Sequence, residues 1–151
     1  MTKILLIRHG MTDAVSETIA GRIDYPLNPE GIRQSQVIAE ALRNLPVEAI
    51  FASPLMRTRQ SAEPLAEFLN LKVEIIEDLN QVNYGDWQKK PFDELERDPL
   101  WQAFMTDPMN AIIPGGENGM MVRKRVARAI RRLCKRYPGD ALIACYLHGS
   151  I

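Results

Sequence analysis

The 151-residue chain reads as an α/β protein with a mostly parallel sheet, and three observations lead there. Short runs of β-prone apolar residues alternate with longer segments of helical periodicity, the pattern that lays helices over a parallel sheet. Two of those runs end on His-Gly: Lys3–Gly10 is KILLIRHG and Ala141–Gly149 is ALIACYLHG. These are the chain's only two histidines, and open α/β sheets bind ligands outside the carboxyl ends of their strands. His9, next to Arg8, and His148 are therefore the first candidates for chemistry.

Taken in order, strand signals fall at Lys3–Ile7, Glu48–Ala52, Val73–Ile76 and Ala141–Leu147. Asn28 followed by Pro29 starts a helix whose inward face is Ile38, Ala41, Leu42 and Leu45. Ser53-Pro54 starts a second, with Ala62, Leu65, Ala66 and Leu69 facing in. Val122, Val126, Ala129, Ile130 and Leu133 mark a third and longer helix, stopped by Pro138-Gly139. Between the third strand and that helix, Asp78–Glu117 is rich in proline and carries both tryptophans. It reads as loops with helical pieces at Pro91–Glu96 and Pro99–Thr106, covering the functional edge of the sheet.

Length and composition fit one domain spanning residues 1–151, and 46% apolar with 25% charged residues is ordinary for a globular protein with a real core. Nineteen basic and nineteen acidic residues cancel, so no global field draws nucleic acid or a membrane surface, and any anion site must be local. The basic stripe Lys124, Arg128, Arg131 and Lys135 lies opposite the apolar face of the long helix, has no interleaved aromatics, and reads as a solvated face. No apolar run reaches the roughly 20 residues of a membrane span, and the N-terminal run is too short for a signal peptide; the expected location is the cytoplasm. Cys134 and Cys145 form neither a metal-ligand spacing nor a disulfide framework and are read as reduced, with no metal site.

Four segments in order carry a resemblance: Leu6-Ile7-Arg8-His9-Gly10 with Thr12; Ser53-Pro54-Leu55-Met56-Arg57-Thr58-Arg59-Gln60-Ser61-Ala62; Pro114-Gly115-Gly116-Glu117; and His148-Gly149. Together they resemble the histidine phosphatase superfamily, also called phosphoglycerate mutase-like. Gly21-Arg22 through Asn28 and Leu79 through Trp87 match its small-molecule phosphatase branch, which includes broad-specificity and α-ribazole-phosphate phosphatases. The resemblance implies a three-layer α/β/α sandwich and hydrolysis of a small phosphomonoester without metal or organic cofactor. It further implies that His9 attacks phosphorus, that Arg8 and Arg57 clamp the phosphate, and that His148 faces it, most usefully if protonated. Thr12, Gly21, Arg22 and Gly149 would line the substrate site, with pocket walls from Tyr25, Tyr84, Trp87 and Trp101. Such a set suits phosphoryl transfer, which needs in-line positioning and positive charge around the equatorial oxygens. Arginine forks also grip phosphate bidentately where lysine cannot. Free N–H groups at the start of the Ser53-Pro54 helix would add to the anion site. A homodimer is left open.

The sequence departs from the family pattern in four places. Gln81 stands where the family's general-acid glutamate falls, and an amide cannot give up a proton; either Asp13, Asp86 or Glu117 substitutes, or the chain is a catalytically impaired phosphate-binding or regulatory member. A phosphoglycerate mutase is the weaker reading, since mutases of the family need an intact acid. Val15 replaces a frequent asparagine and Met11 a frequent glutamate, loosening the phosphate grip. The sequence also stops at Ile151, where family members usually continue into another helix and strand.

Overall fold

The computed structural model describes residues 1–14 and 18–151. Four strands, β1 (Lys3–Arg8), β2 (Val47–Ala52), β3 (Val73–Ile75) and β4 (Leu142–Leu147), form one sheet in the order β1-β4-β2-β3, with every pairing parallel. The last strand in sequence is thus inserted between the first two. Register decides what this does: Arg8 pairs with Leu147 and Ala52 with Tyr146. His9, His148 and Ser53, the residues just past the carboxyl ends of β1, β4 and β2, are consequently neighbours. The His9 N–H still donates to the Leu147 carbonyl (3.1 Å) and the Ser53 N–H to the Tyr146 carbonyl (3.0 Å), so the sheet's ladder holds them in place.

Helices α1 (Pro29–Leu42) and α2 (Met56–Leu69) cover one face and α5 (Gly119–Arg136) the other, giving three layers. Ile50, Ala52, Ala62, Leu65, Ala144 and Tyr146 fill the first interface. Phe51, Leu79, Ala129, Leu133, Ile143 and Cys145 fill the second, alternate residues of β2 and β4 pointing to opposite faces. Full burial of each large side chain contributes roughly 1.5–3 kcal/mol. Asn28 caps α1, its side chain accepting from the Gly31 N–H at 2.8 Å, with Pro29 in the first turn as the sequence indicates. The inward face of α1 differs from the expected one. Gly31, Ser35 and Ala39 are buried, Ile38 and Leu42 partly so, and Ala41 and Leu45 are exposed. Small residues face inward because α1 comes very close to the β1 exit: a Cβ on Gly10 would stand 2.5 Å from the Gly31 carbonyl oxygen.

The segment between β3 and α5 holds two single 3₁₀ turns, Glu77–Leu79 and Gly85–Trp87, and helices α3 (Phe92–Leu95) and α4 (Pro99–Thr106). Trp87 is buried and meets Trp101 edge-on at 5.3 Å and Phe104 at 5.7 Å. Its indole N–H donates to Asp98, which also caps α4. Trp87 is therefore the centre of a small satellite core with Ile19, Val82, Leu95, Ile113 and Val122, not a pocket wall, and Trp101 packs onto that core. No helix among the described residues is long and apolar enough to cross a membrane.

Candidate active site

His9 and His148 stand with ring centroids 5.3 Å apart and planes inclined by 62°. The His9 Nδ1 lies 2.7 Å from the Gly10 carbonyl oxygen. A carbonyl only accepts, so Nδ1 carries the proton and a neutral ring has its lone pair on Nε2. Burial, reinforced by the charges of Arg57 and Arg8, pulls the His9 pKa below its ordinary value despite the opposing hydrogen bond to Gly10. The nucleophilic form is thus the resting form at neutral pH.

His148 departs from the expectation that it is protonated. It is fully buried, and burial together with Arg57, His9, Arg125 and Arg8 pushes its pKa down to about 2. The ring is neutral because a second positive charge in a desolvated, already cationic corner is too costly. Its Nε2 sits 2.8 Å from the Ser53 Oγ, while Nδ1 is buried with no partner among the described residues.

Arg57 is in phase with Ser61 and Leu65 along α2, so it points inward, and only 3% of it is exposed. Its Nη1 donates to the Ile23 carbonyl (2.8 Å) and its Nη2 to the Gly21 carbonyl (2.9 Å). Burial lowers its pKa, partly opposed by Asp24. Gly21 can present its carbonyl there because it adopts φ +49° and because a Cβ would collide with the Gln88 side chain at 2.4 Å. Arg8 is exposed and has no hydrogen bond or ion pair among the described residues; exposed Gly149 lies against its guanidinium. Arg8, His9, Gly10, Met11, Thr12 and Gln34 line one cleft. The Thr12 hydroxyl accepts from the Ala14 N–H at 3.3 Å, closing a local turn.

The first N–H groups of α2 do not stand free as expected. Met56 donates to the Asp24 carboxylate (2.6 Å) and Leu55 to the Ser53 Oγ (3.4 Å). Asp24 was not singled out by sequence; its only signal is a lone acid in Gly21–Asn28.

A second cluster of charge sits beside the first. Arg22 donates from Nε to the Gln81 carbonyl and from Nη2 to Glu117, both at 2.9 Å. Arg125, 9% exposed, pairs twice with Glu117 (2.8 and 3.0 Å) and also holds the carbonyls of Asp78, Asn80 and Gln81. Burial would raise the Glu117 pKa, but hydrogen bonds from Arg125 and the Asn83 N–H, with the charges of Arg125 and Arg22, leave it lowered. Glu117 is thereby a fixed carboxylate and a poor proton donor. Gln81 turns its own side-chain oxygen onto the Val82 N–H (2.8 Å), and no hydrogen bond joins it to His9, Arg57 or His148. Asp13 accepts from Asn28 (3.0 Å) and Asp86 is exposed beside Gly115. Val15 lies outside the described residues. No group of three or more His, Cys, Asp or Glu side chains among the described residues is placed to hold a metal ion.

Comparison with known proteins gives this cluster a context. Residues 4–151 match the model of the histidine phosphatase superfamily, branch 1. An adenosylcobalamin/alpha-ribazole phosphatase of Salmonella typhimurium is 31% identical over 87% of this chain and 66% of its own length. A probable phosphoglycerate mutase of Yersinia pestis is 30% identical over 99% and 70%. Among solved structures, a phosphoserine phosphatase from Entamoeba histolytica in complex with 3-phosphoglyceric acid superposes with a TM-score of 0.88 at 28% identity, covering 99% of this chain and 75% of that one. A putative alpha-ribazole-5'-P phosphatase from Escherichia coli gives 0.87 at 28%, covering 96% and 72%. The chain thus spans a little under two thirds of the cobalamin phosphatase's length. With paired histidines at adjacent strand ends, a buried arginine beside them and a family model matched from residue 4 to residue 151, this chain belongs to the histidine phosphatase superfamily.

Proposed function

We propose that the protein hydrolyses a small phosphomonoester through a phosphohistidine on His9. The observation that carries this reading is the Nδ1–H···O=C hydrogen bond of His9, which leaves Nε2 bare and unprotonated beside His148 and within the field of Arg57 and Arg8. The Nε2 lone pair attacks phosphorus and the P–O ester bond breaks, giving an oxyanion that takes up a proton from solvent water. Water then attacks the phosphohistidine, the P–N bond breaks, and inorganic phosphate leaves a neutral imidazole behind. Arg57 and Arg8 stabilise the charge that spreads over the equatorial oxygens. Two backbone carbonyls orient the Arg57 guanidinium. Gly21 and Arg22 act as supports in this scheme, through the Gly21 carbonyl on Arg57 and the Arg22 contact to Glu117. The phosphatase relatives support hydrolysis, and no metal or organic cofactor enters the scheme.

Gln81 shapes the substrate range. Without a proton donor for the leaving oxygen, acyl and aryl phosphates should turn over far better than alkyl phosphates. The test is turnover of p-nitrophenyl phosphate together with trapping of an acid-labile phosphoenzyme that disappears in His9→Ala. Label persisting in that variant removes His9 from the role. Binding of inorganic phosphate with no turnover of any activated ester favours an impaired, phosphate-binding member, and conversion of 3-phosphoglycerate to an isomer favours a mutase.

A further inference from the structure

The hydrogen bonds of Ser53 carry an inference about which proton His148 holds. Ser53 is fully buried just past β2, and its N–H is already spent on the Tyr146 carbonyl. Its hydroxyl has one proton to give and two lone pairs. The Leu55 N–H takes one lone pair at 3.4 Å, and the His148 Nε2 lies at 2.8 Å. The nearby Thr58 hydroxyl contacts the carbonyls of Ser53 and Leu55, at 2.9 and 2.7 Å, and so leaves the Ser53 Oγ to those two partners. One lone pair of the Oγ stays open, so the direction is set by its proton. The His148 Nε2 is the one acceptor the Oγ contacts among the described residues, and a buried hydroxyl that accepted there as well would leave its proton unbonded, so the proton goes to the His148 Nε2. The neutral ring of His148 must then carry its own proton on Nδ1, the buried nitrogen with no partner among the described residues.

We propose that Ser53 is a positioning residue that locks His148 as the neutral Nδ1–H tautomer, holding an unpaired N–H donor in reserve beside the His9 ring for an oxygen of a bound phosphate. The alternative tautomer would donate from Nε2 to Ser53 and leave a bare lone pair on Nδ1, which repels an anion. The lock lets His148 donate to phosphate without being charged, consistent with its burial among Arg57, Arg8 and Arg125. The tautomer itself is a property of the free protein. Only its use by phosphate rests on the proposed phosphatase reading.

The chain's two histidines make this directly measurable. Long-range ¹H–¹⁵N correlation on the ¹⁵N-histidine-labelled protein near neutral pH shows two ring systems, and His9→Asn leaves the His148 ring alone. The expected result is a protonated Nδ1 and a bare Nε2 on His148 in the wild type. Ser53→Ala shifts the population toward protonated Nε2, and Ser53→Thr, which keeps the hydroxyl, restores the wild-type pattern. A wild-type His148 protonated at Nε2, or an unchanged tautomer in folded Ser53→Ala, overturns the proposal; if Ser53→Ala does not fold, the wild-type spectrum alone decides. Titration with inorganic phosphate should move the His148 Nδ1 proton, and Ser53→Ala should weaken phosphate binding about tenfold, the value of one hydrogen bond. An Nδ1–H tautomer that phosphate leaves unmoved upholds the lock and removes the phosphate-binding reading instead.

Discussion

Two clusters of cationic side chains flank the 21–23 loop, and they differ in what partners them. Arg22 and Arg125 converge on one carboxylate, Glu117, and spend their remaining donors on the carbonyls of residues 78–81. Arg57 is held by two backbone carbonyls, and Arg8 by nothing among the described residues. A cation on a carboxylate has much of its field offset and serves chiefly as a brace, although the charge of Arg125 still reaches His148. A cation oriented by neutral carbonyls keeps its charge for a ligand. The loop joins the two, since Gly21 and Ile23 grip Arg57 while Arg22 grips the brace.

The comparison predicts that the two clusters fail differently. Arg57→Ala should lower kcat/KM on p-nitrophenyl phosphate by about 10²–10³-fold, the usual cost of one lost charge-stabilising donor group. Arg57→Lys should recover only part of it, because charge returns without the fork. Steady-state kinetics of both variants decide the matter, and equal rates for Arg57→Ala and wild type would break the assignment. Arg125→Met should instead show in stability, by about 3 kcal/mol in urea unfolding, because Glu117 and three carbonyls lose a buried partner. Its kcat per folded molecule should fall less than that of Arg57→Ala.

Gln81→Glu sharpens the boundary between the clusters. If position 81 serves the leaving group, kcat on an alkyl phosphate should rise by up to about 10²-fold and change little on p-nitrophenyl phosphate. Equal effects on both substrates would place proton delivery elsewhere.

The site's charge balance also sets the acid response. His9 and His148 have folded-state pKa values below the ordinary 6.5, that of His148 down to about 2. The unfolded chain therefore binds more protons as pH falls below 6.5, and stability present above that value is lost on acidification. The expected slope is up to about 1.4 kcal/mol per pH unit for each histidine. Unfolding midpoints between pH 6.5 and 5 isolate this effect from the carboxylates, whose lowered values act at lower pH. His148→Gln should flatten the slope there. The smallest effect concerns Tyr146, whose buried hydroxyl has no partner among the described residues; Tyr146→Phe should leave the unfolding free energy unchanged or raise it by about 1 kcal/mol.

Much of this was already legible in the chain. Alternating apolar runs gave the four parallel strands within one residue at each end, and the helical periods gave the main helices with ends off by up to three residues, since burying one face imposes those periods whatever the partner. The order of Arg-His-Gly, the Ser53–Ala62 segment and the second His-Gly gave the family. Arg125 was legible too, being the one basic residue of α5 spaced three from Val122 and four from Ala129, in phase with the buried face. The surrounding basic stripe masks it.

The tertiary structure decided the rest, because hydrogen-bond partners far apart in sequence depend on register and crossover. Inserting β4 between β1 and β2 is what sets Ser53 against His148 and His148 against His9. Burial among cations makes His148 neutral, where the family resemblance favoured a protonated ring. The close approach of Gly10 to Gly31 turned the inward face of α1 to small residues, and the collapse of Trp87 onto Trp101 made a core of an expected pocket wall. Sequence fixes which residues can be buried or charged; only the packed chain fixes which of them meet, and their meeting sets tautomer, protonation and field.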